Sequence, residues 1–444
     1  MIIQVAIVSI WIVLCVYYLF YALIHRNLQS LKFVTIVLLL QNIMSLLSSN
    51  VFGRGVGQII ILYKEMVFWG VIIFALLIRP VIFRKYLPII FFICFLIFEM
   101  LRGDASLYTK LICFRQLTTP VVLVCYAKSL RISESEKMDY VKFLIGIGLF
   151  QAIFGFLERF VLGDAFWLNL NIHKLFEAKG FDRWVMSGLP GNYYSYDFYH
   201  FTGTRIRRLV GITTDPLLTG HFLALCIVLL LFVNSHEKKH IRYFKLSIMT
   251  LACILTISKG AILIIAVAFI VKAWKKNQAI AYGMIGASIV GVFVIIRQNI
   301  FRTVIIHIEG LITALASCSL LGGGLGTSGN LSSLSGQSST SGESFLGMVL
   351  GQTGVFGTIL YVFLLFYLIK LILKYKSDTQ YRYAIMAYVL AVILESCVSE
   401  SSISFVGSGC AFILVGLLSH RMMKKDEIKD TNYEKRNFNI SQSI

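Results

Sequence analysis

From Ile2 to the neighbourhood of His420 the chain is a succession of apolar runs, separated by short polar interruptions. A run of about 20 residues, coiled as a helix, spans the roughly 30 Å of hydrocarbon in a bilayer. Lipid offers no hydrogen bonds to backbone groups, so a chain built of such runs has to satisfy them inside helices. Hydrophobic residues make up 57% of the sequence, charged residues only 14%, and the mean hydropathy is +0.80. These values lie outside the range of soluble globular domains. The expected fold is therefore all-α: a polytopic integral membrane helical bundle of about 12–13 transmembrane helices with two long external loops. The approximate spans are 2–24, 33–51, 59–78, 87–101, 110–127, 141–160, 214–233, 243–257, 260–271, 279–297, 345–370, 381–398 and 403–419. The first lacks a charged leading region and a small-residue cleavage site, so it reads as a retained helix and not a removable signal. Residues 1–420 form one membrane domain, and 421–444 read as a polar cytoplasmic tail.

Orientation follows from where Lys and Arg collect, because cytoplasmic loops retain them during insertion. One set of alternate loops carries Arg26 and Lys32, then Arg84 and Lys85, Lys128 and Arg131, Lys238 and Lys239, Lys275 and Lys276, Lys374 and Arg382, and finally Lys424 and Lys425. That side is expected to be cytoplasmic. The formal charge of +19 is thus mostly topological; dispersed among loops, it does not describe a nucleic-acid surface. The nine cysteines are scattered without metal or redox spacing and read as small apolar fillers.

On the opposite side two interruptions are long. The first, 161–213, is rich in aromatics, among them Trp184, Tyr193, Tyr194 and Tyr196, and is expected to form an ordered cap on the membrane surface. The second, 298–343, turns Gly/Ser-rich from Ser317 and is expected to form a mobile lid. The cap ends in Arg205-Ile206-Arg207-Arg208-Leu209-Val210-Gly211, and Asp215-Pro216 opens the seventh span. Positive charge is normally scarce there, and guanidinium forks make bidentate bonds to phosphate oxygens. Gripping lipid headgroups is the blander role for the same arginines. Asp215 before Pro216 fits a helix N-cap as well as a catalytic carboxylate. Lys259, in Thr256-Ile257-Ser258-Lys259-Gly260, interrupts an apolar stretch and either points into a cavity or snorkels to the interface. Of the ionisable residues within spans (Lys64 with Glu65, Glu99 with Arg102, Arg115, Glu395), Arg115 is the best placed to line a cavity. Gly351, Gly354 and Gly357 are spaced for tight helix packing, and Glu343 stands at the mouth of the eleventh span as a base or a cap.

The order of these features resembles the O-antigen polymerase and O-antigen ligase superfamily, by motif over roughly 205–357 and by hydropathy over the whole chain. The resemblance implies a multi-pass glycosyltransferase of the bacterial inner membrane, with its active site on the periplasmic side and a polyprenyl-diphosphate-linked oligosaccharide as donor. It implies no cofactor and no metal. As partners it implies membrane lipids, a chain-length regulator and a flippase, and no nucleic acid. Carried over by position, Arg207 and Arg208 contact the diphosphate; Arg205, Lys259 and Arg115 are the further candidates for binding it. Lys259 stands where the family more often has Arg. Ligases of the superfamily place a catalytic His in the last large external loop; here that place holds Glu343, and His307 lies well upstream. The implied function is a repeat-unit polymerase for O-antigen or capsule, with Glu343 or Asp215 as base and Trp184, Tyr193, Tyr194 and Tyr196 as a surface for sugars. A glycan ligase and a transporter or flippase of polysaccharide intermediates are the alternatives.

Overall fold

The computed structural model describes residues 2–78, 87–179, 185–186, 188–197, 199, 203–233, 237–297, 302–330, 332, 344–375 and 379–418. These residues are mostly helical. In chain order the helices are α1 (Ile2–His25), α2 (Leu28–Phe52), α3 (Arg54–Ile78), α4 (Leu87–Arg102), α5 (Leu107–Ser129), α6 (Glu134–Leu157), α7 (Gly163–Asn169), α8 (His173–Lys179), α9 (Pro216–Phe232), α10 (Lys239–Leu255), α11 (Lys259–Lys276), α12 (Gln278–Arg297), α13 (Arg302–Ala316), α14 (Phe345–Lys374), α15 (Thr379–Ser396) and α16 (Gly409–Leu418). Among the described residues, six helices are long and apolar enough to cross a membrane.

Side-chain caps set several starts. Asn27 accepts from Ser30 N, Ser106 from Thr109 N, and Ser344 from Gly347 N, while Ser133 and Glu136 form a reciprocal capping box on α6. α9 and α16 are apolar all round and buried along almost their whole length, so they form the centre of the bundle. α1 leaves most of its apolar surface exposed, as a helix facing lipid does.

Four of the Lys/Arg-bearing connections, those at Arg26, Arg131, Lys275 and Arg382, meet at one end of the bundle. There Arg131 N donates to Arg26 O at 2.6 Å, Tyr375 Oη to Glu134 Oε2 at 3.1 Å, and Lys275 lies over the Tyr383 ring. At the other end Asn50 Nδ2 donates to Leu170 O, and Leu209 N and Arg159 Nη1 both donate to Leu255 O.

The segment expected to form the cap is built at this second end. A π-helical turn, Glu158–Leu162, continues α6 into α7 and α8. Two short antiparallel pairs follow, β1 (Val185–Met186) with β2 (Leu189–Pro190) and β3 (Tyr194–Ser195) with β4 (Ile206–Arg207). Leu46, Trp167, Ile172, Leu175, Leu189, Tyr193 and Val210 form a small core of their own beneath it.

The 298–343 stretch differs from the loop expected of it. It contains α13, and Ser319–Asn330 is bound to the bundle, while 331 and 333–343, Glu343 included, lie outside the described residues. What binds Ser319–Gly324 is an interruption in α14. Gly354 has φ +66° and ψ −169°, a combination essentially confined to glycine, and breaks the helix there. Four of the freed groups find partners there: Gly323 N and Gly324 N donate to Gly351 O and Gln352 O, and Val355 N and Phe356 N donate to Ser319 O and Leu320 O. Irregular backbone at membrane depth is tolerated where protein buries it in this way. Gly354 is therefore a chain break filled by a neighbouring strand of backbone, not a helix-packing glycine.

Candidate functional site

The basic segment 205–215 is held in place before any ligand is considered. Ile212 N donates to Gln151 Oε1 and Val210 N to Glu158 Oε2, both from α6 and its π-helical extension, and Asn42 Nδ2 of α2 donates to Thr213 O at 2.7 Å. Tyr194 pairs with Arg207 and Ser195 with Ile206 across β3 and β4. Successive side chains on extended backbone point to opposite faces, so Arg207 and Arg208 diverge.

Arg207 turns toward the protein. Its Nη2 donates to Glu158 Oε1 and its Nε to Asp164 Oδ1, each at 2.6 Å, and its Nη1 to Arg208 O. Glu158 is fully buried and also accepts from Trp167 Nε1 at 2.7 Å. Every nitrogen of the Arg207 guanidinium is thus engaged inside the protein, and the residue pins the segment to α6 and α7.

Arg208 turns the other way, toward Asp197. The Asp197 carboxylate accepts from Lys259 Nζ at 2.7 Å and from Ser195 Oγ at 2.9 Å, and Arg208 Nη2 stands 3.9 Å from it. Arg208 Nε is buried with no hydrogen-bond partner among the described residues. Burial lowers the Arg208 pKa from its ordinary value, and the negative charges of Asp197 and Asp215 oppose that shift. Arg205 lies over the exposed ring of Tyr196, 5.2 Å from its centroid.

Asp215 takes the helix-capping role. Its Oδ1 accepts from Leu217 N and Leu218 N with Pro216 in the first turn, and its Oδ2 accepts from Asn192 Nδ2 at 3.2 Å. Around it Asn192 Oδ1 and Thr214 Oγ1 are buried without partners among the described residues. The structure therefore brings Arg208, Lys259 and Asp215 together at the mouth of α9, with Arg207 behind them. Arg115 lies elsewhere, between α3 and α5, where Nη1 donates to Glu65 Oε1 at 3.4 Å.

The aromatic residues divide as well. Tyr193 is fully buried under the cap, its hydroxyl donating to Thr214 O, so it supports the segment and offers no face to a sugar. Burial raises its pKa well above the ordinary value. Tyr194 donates to Asp164 Oδ2, and burial together with that carboxylate pushes its hydroxyl up to about 12. Tyr196 is exposed; Trp184 and Glu343 lie outside the described residues. Among the described residues no group of His, Cys, Asp and Glu is arranged to hold a metal.

Three features of the site escape the sequence. Asp197, the residue on which Lys259 and Arg208 converge, is one acid in a run of aromatics. Glu158, the anchor of Arg207, is an ordinary acidic residue at the end of a span. The third lies deeper. His221 Nε2 is 2.8 Å from both carboxylate oxygens of Glu395, and both residues are buried. Its Nδ1 lies 2.6 Å from Leu217 O, to which it donates. Gly260 makes this possible, because a Cβ there would fall 1.8 Å from Glu395 Oε1. The pair thereby fixes α9 and α15 against the first turn of α11, the turn that carries Lys259.

No protein-family model, curated protein or solved structure matches this chain.

Proposed function

We propose that the chain is a polysaccharide polymerase: a membrane glycosyltransferase of about 12–13 spans that joins polyprenyl-diphosphate-linked oligosaccharide repeat units, of O-antigen or capsule, on the external face of the bacterial cell membrane. The observation that carries this reading is the convergence of Arg208 and Lys259 on one buried carboxylate at the mouth of α9, with Arg208 Nε left without a partner among the described residues. An orphaned guanidinium donor beside a second cation suits an anion with several acceptor oxygens.

In the reaction the acceptor hydroxyl attacks the anomeric carbon, the bond from that carbon to the diphosphate oxygen breaks, and the diphosphate departs with the electron pair. Arg208 and Lys259, with Arg205 at the rim, offset the charge that develops on the leaving oxygen. Asp197 holds the two cations in position, and Arg207 holds the segment. The hydroxyl proton passes to a base, for which Glu343, next to the α14 cap Ser344, is our candidate; the Asp215 carboxylate serves the α9 N-terminus. A single displacement inverts the anomeric centre. Exposed Tyr196 is the described member of the aromatic surface for sugar rings.

The test is the size of the glycan made by a strain whose only copy carries Arg208→Ala with Lys259→Ala. Chain growth should fall by roughly 10²-fold or more, leaving single repeat units on the acceptor, and Arg208→Lys should restore it only in part because a point charge lacks the fork. Full-length polymer from the double variant would overturn the assignment. One observation favours the transporter alternative: interrupted helices are characteristic of transporters, and α14 is interrupted at Gly354. Accumulation of intermediates on the cytoplasmic leaflet of the deletion strain would decide for it.

A further inference from the structure

A second group of charges lies within the bundle, between α3 and α5. Lys64 Nζ donates to Ile61 O at 2.6 Å and stands 3.0 Å from Glu65 Oε1, the oxygen that also accepts from Arg115 Nη1. Two cations thus face one carboxylate. Ten residues into α3 and eight into α5, Lys64 and Arg115 lie ~15 Å and ~12 Å below the helix starts, within the hydrocarbon depth. Ionised side chains at that depth face a protein interior, a water-filled space or a ligand, because lipid tails do not solvate them.

The Arg115 side chain is 31% exposed, whereas Lys64 is 2% exposed. Among the described residues its Nε and Nη2 make no hydrogen bond. Arg207 is engaged at all three nitrogens, and Arg102 is bound to Glu99, Leu321 O and Gly322 O. What remains on Arg115 is a side-on fork of two parallel N–H groups, which matches two oxygens of one phosphate. The next residue, Gln116, donates to Glu400 O, and the Glu400 carboxylate is turned to Asn330 N. Lys64 lies over the Phe405 ring, two residues before Gly407, which packs against Leu218 and His221 of α9. The fork is therefore joined to the α9 helix through the Ser399–Gly407 connection.

We infer that Arg115, anchored by Glu65 and Lys64, binds the phosphate-bearing head group of a second lipid inside the bundle. The polymerase reading, on which only the identity of that lipid rests, makes it the second polyprenyl diphosphate, since polymerisation brings two lipid-linked glycans together. A membrane phospholipid presents the same chemistry, and the experiment separates the two.

The full chain, purified in detergent, is titrated with undecaprenyl diphosphate and, separately, with phosphatidylglycerol, and bound lipids are counted by native mass spectrometry. The wild type should bind two equivalents of the diphosphate. Arg115→Ala should lose one, Arg208→Ala the other, and Arg115→Lys, which keeps the ion pair with Glu65 but not the fork, should bind the second equivalent ~10-fold more weakly. Loss of phosphatidylglycerol instead would support the site and name its lipid. Unchanged binding of both lipids by Arg115→Ala, or by Arg115→Lys if the Ala variant does not fold, would overturn the inference. Undiminished diphosphate binding by Arg208→Ala would instead overturn the polymerase reading and leave this site standing.

Discussion

The two adjacent arginines should behave oppositely when each is removed, and Arg207→Ala gives the larger structural effect. In the wild type the Arg207 guanidinium lies 2.6 Å from Glu158, which is fully buried, and 2.6 Å from Asp164. Without it Glu158 keeps its bonds from Trp167 Nε1 and Val210 N but loses its ion pair. Breaking a buried ion pair on one side costs ~3–5 kcal/mol. Arg207 is 16% exposed and Glu158 retains two donors, so the lower end, ~3 kcal/mol, is the appropriate figure. For a chain of 444 residues that loss lowers the thermal midpoint by roughly 3 °C. Arg208→Ala leaves Asp197 bound to Lys259 and Ser195 and should shift the midpoint by less than ~1 °C while stopping chain growth. The assay is thermal unfolding of detergent-purified protein followed by tryptophan fluorescence, to which Trp167, bonded to Glu158, contributes a local signal. If Arg207→Ala melts with the wild type and Arg208→Ala does not, the division of labour argued from the geometry is wrong.

Two further outcomes are expected. Gly354→Ala would place a Cβ 2.4 Å from Gly322 N and 2.5 Å from Leu320 O at a backbone conformation that only glycine adopts easily; it should destabilise by about 1–3 kcal/mol or more and reduce the yield of folded protein, whereas Gly351→Ala, which meets the movable Ser328 side chain, should be milder. Cys318 is exposed and should be labelled from outside intact cells by a membrane-impermeant maleimide, while Lys275→Cys introduced together with Cys318→Ser should not; the reverse pattern inverts the topology.

The helices were legible because two strong constraints act on every span: backbone groups must pair within the helix, and Lys and Arg collect beyond its ends. The 33–51 run became Leu28–Phe52, and 214–233 became Pro216–Phe232, bounded by the Asp215 cap that its sequence announces. Legibility failed where local composition and tertiary role diverge. Arg302–Ala316 mixes Arg302, His307 and Glu309 into an apolar run, so it reads as loop although it folds as a helix. Glycine-rich Ser319–Gly324 reads as mobile for lack of side chains, yet that lack lets its backbone enter the gap at Gly354.

The site shows the same limit in a sharper form. Read as a linear motif, Arg207-Arg208 is a single basic unit, and both members carry the same expectation of gripping a diphosphate. Extended backbone at β4 separates them by the two-residue alternation of a strand, and the partners waiting on each face then decide their roles. Those partners, Glu158 and Asp164 on one face and Asp197 with Lys259 on the other, come from four different places in the chain. None is near enough in sequence to be paired with an arginine by spacing. Arg207 is saturated because each of its guanidinium nitrogens has an acceptor, whereas Arg208 keeps an Nε with no partner among the described residues. Availability for an anion is thus set by which guanidinium nitrogens the protein leaves unengaged, and on that ground Arg208 and Arg115, and not Arg207, are the phosphate ligands we propose.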